Sequence, residues 1–179
     1  MKKILLICLV FGSFAFSQEI DVDKSQFKWK ASKKVGDTHS GLIFLKSSKI
    51  TLKDGAIKSG EFVMNMETFT VEDLSGKWAT KFLNHMKSAD FFNVEKFPES
   101  KLLITDISDG VASGQLTIMG KTEPVEFKVN RDGNTYKGVM TFDRTKFGMV
   151  YGSDSFFKNL GDRVIENKVE LTFKAVVAS

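Results

Sequence analysis

Apolar side chains fall at every second position along most of this chain. From Phe27 to Ala31, Phe27, Trp29 and Ala31 alternate with Lys28 and Lys30. Thr38–Leu45 and Ser48–Leu52 follow, then a long run from Ile57 to Phe69 with Phe62, Met64 and Met66 on one side. Lys101–Ile107, Val111–Met119, Val125–Val129, Tyr136–Phe142 and Val169–Val177 continue the pattern. A period of two places one face of a strand on a core and the other in water. Asp54-Gly55, Asp109-Gly110, Gly120-Lys121 and Asp132-Gly133-Asn134 stand between these runs as tight-turn signals. Eight or nine strands with one apolar face each suit an antiparallel sheet curled around its own core, and closing that sheet removes its edges.

Two stretches break the period. Between Val71 and Lys87 the spacing changes to four, with Trp78, Phe82 and Met86 in line and Leu74 and Leu83 beside them. That predicts a helix of about three turns, capped by Ser75 or Asp73. Ser153–Gly161 predicts a short helix or an ordered loop that stops at Gly161.

The first residues belong to a different kind of segment. Lys2 and Lys3 precede an apolar run from Ile4 to Phe16, and Ala15 and Ser17 sit at small-x-small spacing. Residues 1–17 are therefore expected to be a cleavable secretory signal peptide, too short for a stable membrane span. The mature domain is then 18–179, and its expected place is the periplasm or the medium. Bulky Ile7 before Cys8, with the apolar run continuing beyond it, argues against a lipidated cysteine. Cys8 is the only cysteine of the 179 residues, so the mature domain has no thiol chemistry and no disulfide.

Charge and motifs remove further classes. The formal net charge is +4, and no block of like charge is long enough to follow a phosphate backbone, so nucleic acid is not an expected partner. No nucleophile elbow, phosphate loop or dinucleotide fingerprint occurs. His39 and His85 are the only histidines and have no partner at metal-ligand spacing. Glu72-Asp73 read as charges at a helix start. No catalytic residue, metal ligand or cofactor is assigned.

What remains is phenylalanine. Phe11, Phe14 and Phe16 fall in the leader, and the other fourteen of the 17 are in the mature domain. Phe82, Phe91, Phe92, Phe147, Phe156 and Phe157 lie off the clean strands, in segments that would cap a barrel mouth. Two readings stay open: these rings pack the helix over a filled barrel, or they line a cavity for a long greasy ligand. On the second reading Met86 joins them. The strands then contribute Leu42, Phe44, Phe62 and Met64, with Leu116, Phe127, Phe142 and Phe173 further on. His85, Lys87, Arg144 and Lys146 are the candidates for a ligand head group at the mouth.

Three longer motifs carry a resemblance. Residues 85–98, HMKSADFFNVEKFP, followed by a strand, resemble the signature of the YceI-like family, the polyisoprenoid-binding, lipocalin-like proteins. GQLTIMGKTEPVEF at 114–127 resembles that family's G-x-L-T-x-x-G-x-T-x-P-V strand pair. DRTKFGMVYG at 143–152 resembles its Arg-x-x-Phe-Gly segment, and the stretch from Ser155 to Leu171 resembles a branch with an extended loop before the last strand. The likeness runs from about residue 20 to the end. It departs in the opening strands, where a histidine-containing segment is short, and at Met86, where leucine is usual. The resemblance implies an all-β, eight-stranded antiparallel lipocalin-like barrel with a short helix closing one end. It implies a tunnel for a polyisoprenoid, an isoprenoid quinone or another long-chain lipid, and, since dimers are common in that family, a homodimer. Two other functions stay open from the residues alone: a solid-barrel structural or stress-related module with no lipid, and a hydrolase using His85.

Overall fold

The computed structural model describes residues 17–178. The expected signal peptide lies outside the described residues except for Ser17. Ten strands form: β1 (Ser17–Gln18), β2 (Gln26–Ser32), β3 (Thr38–Leu42), β4 (Phe44–Lys53), β5 (Ala56–Asn65), β6 (Glu99–Ser108), β7 (Val111–Ile118), β8 (Lys121–Asp132), β9 (Thr135–Asp143) and β10 (Lys168–Val176). A helix, α1 (Gly76–Lys87), lies between β5 and β6. All pairings are antiparallel, in the order β1-β4-β5-β6-β7-β8-β9-β10-β2-β3.

That order closes on itself. Only Ile43 separates β3 from β4, and its N–H donates to the Phe27 carbonyl at 3.0 Å. The two are halves of one bent strand: the first half pairs with β2 and the second with β5. Counted so, the molecule is an eight-stranded antiparallel barrel. The half-edges left at the bend are covered. Thr70 and Glu72 donate to the Leu42 and Ser40 carbonyls beside β3, and β1 pairs with Ile50 and Thr51 of β4. Covering these half-edges blunts them as templates for another chain, while β8 and β9 pair with each other only from Val129–Gly138 to Asp132–Thr135.

The bend also resets the pleat. Gly41 and Ile43 are buried in the first half, Ser48 and Ile50 in the second, with a bulge between Leu45 and Ser47. One extra residue moves the inward set from odd to even positions. Leu42 and Phe44, expected to point inward, therefore point out, and Phe44 is 48% exposed.

Tight turns define the two ends. Asp54-Gly55, Asp109-Gly110 and Met119-Gly120 each place two successive residues at positive φ, the backbone that a two-residue hairpin with right-handed twist requires. The third turn thus falls one residue earlier than expected. The turns at 54–55, 109–110 and 133–134 make the floor of the barrel. There the Ile57 N–H donates to the Tyr136 hydroxyl at 2.8 Å, and Arg131 lies 5.8 Å over the Tyr136 ring and donates to the Gly55 and Gly133 carbonyls. The other end carries the β2–β3 hairpin, α1 and the long segment 144–167.

Two local expectations change, and one of two alternatives is settled. The run from Ile57 ends as a strand at Asn65, whose side chain accepts the Glu67 N–H and opens a 3₁₀ turn over Met66–Thr68. Ser75 takes the N-cap position of α1 but makes no side-chain cap bond. Segment 153–161 is an ordered loop, with a 3₁₀ turn at Gly161–Arg163.

Gly41 is the tightest point of the seam. A Cβ there would lie 2.0 Å from the Thr70 carbonyl oxygen and 2.9 Å from Trp29 Nε1. Gly41→Ala is expected to lower stability by about 1–3 kcal/mol, the usual range for overpacking, read as a lower midpoint in urea unfolding.

Candidate functional site

The inward faces do not fill the barrel. They enclose a cavity of about 350 Å³. Its deep part is hydrocarbon: Ile57, Ile104, Ile107, Ala112, Val129 and Ala175. Higher up, Phe127 meets Phe173 edge-on at 5.6 Å, and Phe62, Met64 and Leu116 continue the wall. The upper wall is aromatic. Trp29 stacks on Phe69 at 4.6 Å and on Phe82 of α1 at 6.0 Å, and its Nε1–H donates to the Thr70 carbonyl at 3.0 Å. That bond satisfies the one polar atom of the indole, so the ring can stand in a dry wall.

Helix α1 lies across the upper end as a cover. Its stripe of Phe82, Leu83 and Met86 packs against the core, yet no residue of the helix is fully buried. After Lys87 the chain reverses tightly. Phe92 donates to the Met86 carbonyl, Phe91 and Asn93 donate to the Ser88 carbonyl, and Asn93 takes φ 45°. This reversal drives Phe91 into the interior and sets Phe92 5.7 Å from Phe69. The two rings after Asp90 line the cavity beneath the helix end.

The rim is polar, and its charges are paired. His39 Nδ1 lies 2.6 Å from Asp73 Oδ2, Asp73 Oδ1 accepts the Ser40 N–H at 2.8 Å, and the His39 ring rests 4.8 Å from Phe82. His85 Nε2 lies 3.2 Å from Asp90 Oδ2 and meets Phe91 and Tyr151 edge-on at 5.0 and 4.7 Å. Lys33 pairs with Asp37 at 2.8 Å. Hydrogen bonding to Lys33 holds the Asp37 carboxyl below the usual range. Burial pushes Asp73 upward, but the Ser40 N–H and His39 outweigh it and leave this carboxyl lowered too.

Of the residues expected to line a cavity, Phe62, Met64, Phe82, Met86 and Phe91 do so. So do Phe92, Leu116, Phe127, Phe142 and Phe173. Five do not. Leu42 and Phe44 face outward for the register reason given above. Phe147 is fully buried in a second small core with Leu116, Ile118, Met140 and Met149, edge-on to Phe142 at 5.7 Å. Phe156 and Phe157 are exposed, because their turn is fastened from below by Lys34–Asp154 at 2.6 Å and by Asn167 donating to Ser155 Oγ at 2.9 Å.

Of the head-group candidates, only His85 stands on the rim with an open side. Lys87 donates to the Glu67 carbonyl at 2.8 Å, and Lys146 lies 3.9 Å from Glu123; both are away from the cavity. Arg144 touches the cavity wall but is a buried fastener. It donates to the Glu166, Met149 and Ile165 carbonyls, and burial lowers its pKa from the ordinary arginine value. His39, Asp73, Phe69 and Tyr151 join the site without having been singled out. For His39 the signal was present: it shares the odd-numbered series with Gly41 and Ile43.

The model of the YceI-like domain matches residues 18–177. A UPF0312 protein of Staphylococcus aureus (strain USA300) is 30% identical over 79 residues, which are 38% of this chain and 46% of that protein. The chain thus spans about half the length of this relative. Among solved structures, BcnA of Burkholderia cenocepacia superposes with a TM-score of 0.67 at 19% identity, over 89% of this chain and 99% of its own. A polyisoprenoid binding domain from Saccharophagus degradans, implicated in plant cell wall breakdown, superposes with a TM-score of 0.59 at 10% identity, over 90% and 97%. At such identities the two structures share the fold with this chain.

Two expected outcomes test the assignment of rings. Phe147→Ala should cost about 3–5 kcal/mol in urea unfolding, as for a fully buried aromatic, while Phe156→Ser should stay within about 0.5 kcal/mol. Asp73 is depressed, so its contribution is present above the unfolded carboxyl value of about 3.9 and fades as pH falls through the folded one. The stability difference between wild type and Asp73→Asn should therefore hold from neutral pH down to about the unfolded carboxyl value and shrink only as unfolding is repeated at more acid pH.

Proposed function

The chain belongs to the YceI-like domain family, and from that premise we propose that it is an exported carrier or sequestering protein for a long-chain isoprenoid-type lipid. The observation that carries this reading is the cavity: a sealed floor, a hydrocarbon wall and a single polar rim. An amphiphile fits that arrangement one way round, tail down and head at the rim beside His39, His85 and Tyr151.

Magnitudes favour a long tail. Each buried methylene contributes about 0.8 kcal/mol, and association costs on the order of 4–15 kcal/mol. A tail of a few carbons barely offsets that cost, and several prenyl units exceed it. The cavity of 350 Å³ lies at the lower end of the roughly 300–1,000 Å³ common for ligand pockets. A very long chain would seat its first units inside and leave the remainder at the mouth.

His85 and His39 each have a carboxylate partner that fixes the ring at the rim, which suits holding a polar head group there. The expected signal peptide supports export, to the periplasm or beyond.

Organic extraction of the purified protein, followed by mass spectrometry, should release a polyprenyl compound. A protein that carries nothing and takes up no added polyprenol or prenylated quinone would count against the carrier reading. Ala112→Phe and Ile104→Phe fill the floor of the cavity. Each should weaken uptake of a long-tailed probe at least tenfold with little change in melting temperature; unchanged uptake would put the ligand elsewhere.

A further inference from the structure

We propose that the cavity mouth docks on the surface of a lipid bilayer with anionic headgroups, so that ligand passes between membrane and cavity without crossing water. This rests on the carrier reading and adds a partner to it.

Three elements ring the mouth: the β2–β3 hairpin, helix α1 and the loop that follows Phe147. They are fastened to one another. Lys34 pairs with Asp154 at 2.6 Å, and its backbone N–H donates to the Val164 carbonyl at 3.0 Å. Tyr151 of the loop meets His85 of the helix at 4.7 Å. Among the described residues nine large apolar side chains are exposed, and five belong to these three elements: Val35, Trp78, Tyr151, Phe156 and Phe157, from 46% to 62% exposed. The other four, Val22, Phe44, Leu103 and Val139, lie elsewhere on the barrel.

The chemistry of this ring suits a membrane interface. Trp, Tyr and Phe have apolar bodies, and the first two keep a polar tip for the headgroup layer. Lys77 and Lys81 place their ammonium groups 5.7 and 5.9 Å from the Trp78 ring, so their stems lie along apolar surface while the charges stay free. Neither lysine, nor Lys158 beside Phe157, makes an ion pair among the described residues. Of the facing carboxylates, Asp37 and Asp154 pair with Lys33 and Lys34, while Asp73 and Asp90 are hydrogen-bonded to His39 and His85. Among the described residues Asp162, Arg163 and Glu166 on the loop make no ion pair. Lys77, Lys81 and Lys158 thus set positive charge directly beside the exposed rings Trp78 and Phe157, which favours anionic headgroups.

Position completes the argument. The exposed rings surround the opening of an apolar cavity, where a lipid tail would leave the bilayer. The described chain starts at the opposite end, where β1 pairs with Ile50 and Thr51 near the floor. No helix of the described residues is long and apolar enough to cross a membrane, so the contact is one of surface rings with the headgroup layer.

The test separates docking from cavity binding. Uptake of the small apolar dye N-phenyl-1-naphthylamine, without vesicles, reads the cavity alone. Cosedimentation with vesicles of phosphatidylcholine and phosphatidylglycerol reads docking, and transfer of a fluorescent prenyl lipid from those vesicles reads both. The wild type should cosediment, less so on pure phosphatidylcholine. The triple variant Trp78→Ser, Phe156→Ser, Phe157→Ser should lose at least tenfold in vesicle binding and in transfer rate, with dye uptake and melting temperature unchanged. A wild type that takes up dye but ignores vesicles overturns the docking proposal, and so does a triple variant that binds vesicles as before. A concentration-dependent dimer abolished by the triple variant would assign the ring to a second copy of the chain and overturn it as well. Vesicle binding with no dye uptake would instead sink the carrier reading.

Discussion

One strand with two partners holds this molecule together. The strand that runs from Thr38 to Lys53 gives its first half to β2 and its second half to β5, and Ile43 is the hinge between them. Without that bend the sheet would be an open ribbon with two long edges. With it, the seam is a line of close approaches: Gly41 under Trp29 and Thr70, the bulge before Ser47, and β1 filling the edge that β2 does not reach. The cavity exists because the sheet closes there.

The hollow has its own energetic logic. The floor is sealed by a tyrosine hydroxyl that accepts a backbone N–H and by an arginine whose Nε and Nη2 donate to two turn carbonyls. Polar groups at the deep end are thereby satisfied, as buried polar groups must be. Above them the wall is hydrocarbon, and a dry apolar cavity gains by receiving an apolar guest. At the rim, cations and carboxylates pair with each other, which keeps strong fields out of the opening. Arg144 belongs to the frame: its carbonyl contacts tie the Met149 and Ile165–Glu166 backbones to the end of β9.

The strands, three of the tight turns, the helix and the barrel were legible in the sequence, because alternation and turn chemistry are local signals. Register at the seam was not. Leu42 and Phe44 look like the inward pair, since hydrophobicity is the signal being read and the true inward residue between His39 and Ile43 is a glycine. Gly41 is buried because an indole needs its space, and a pattern of apolar residues does not show that. The same limit explains the phenylalanines off the strands. Phe91 and Phe147 are buried while Phe156 and Phe157 are exposed, although all four sit in connecting segments. What separates them is long-range: a salt bridge from Lys34 to Asp154 and a hydrogen bond donated by the Asn167 amide to Ser155 hold the last two out. Lys87 and Lys146 looked suited to a head group on charge alone, yet each is spent on a neighbour.

Helix α1 is secured differently from the rest. No residue in it is fully buried, and polar contacts hold both its ends: Asp73, just before it, to His39, and His85, near its last turn, to Asp90. Between them it rests on the barrel through the narrow stripe of Phe82, Leu83 and Met86, over the cavity. A segment with so little tertiary contact opens at a smaller free energy than the barrel that carries it. The helix should therefore breathe as a unit of its own, exchanging its amide protons sooner than the strands beneath, and a guest that fills the hollow would slow that motion by supplying the contacts the helix lacks.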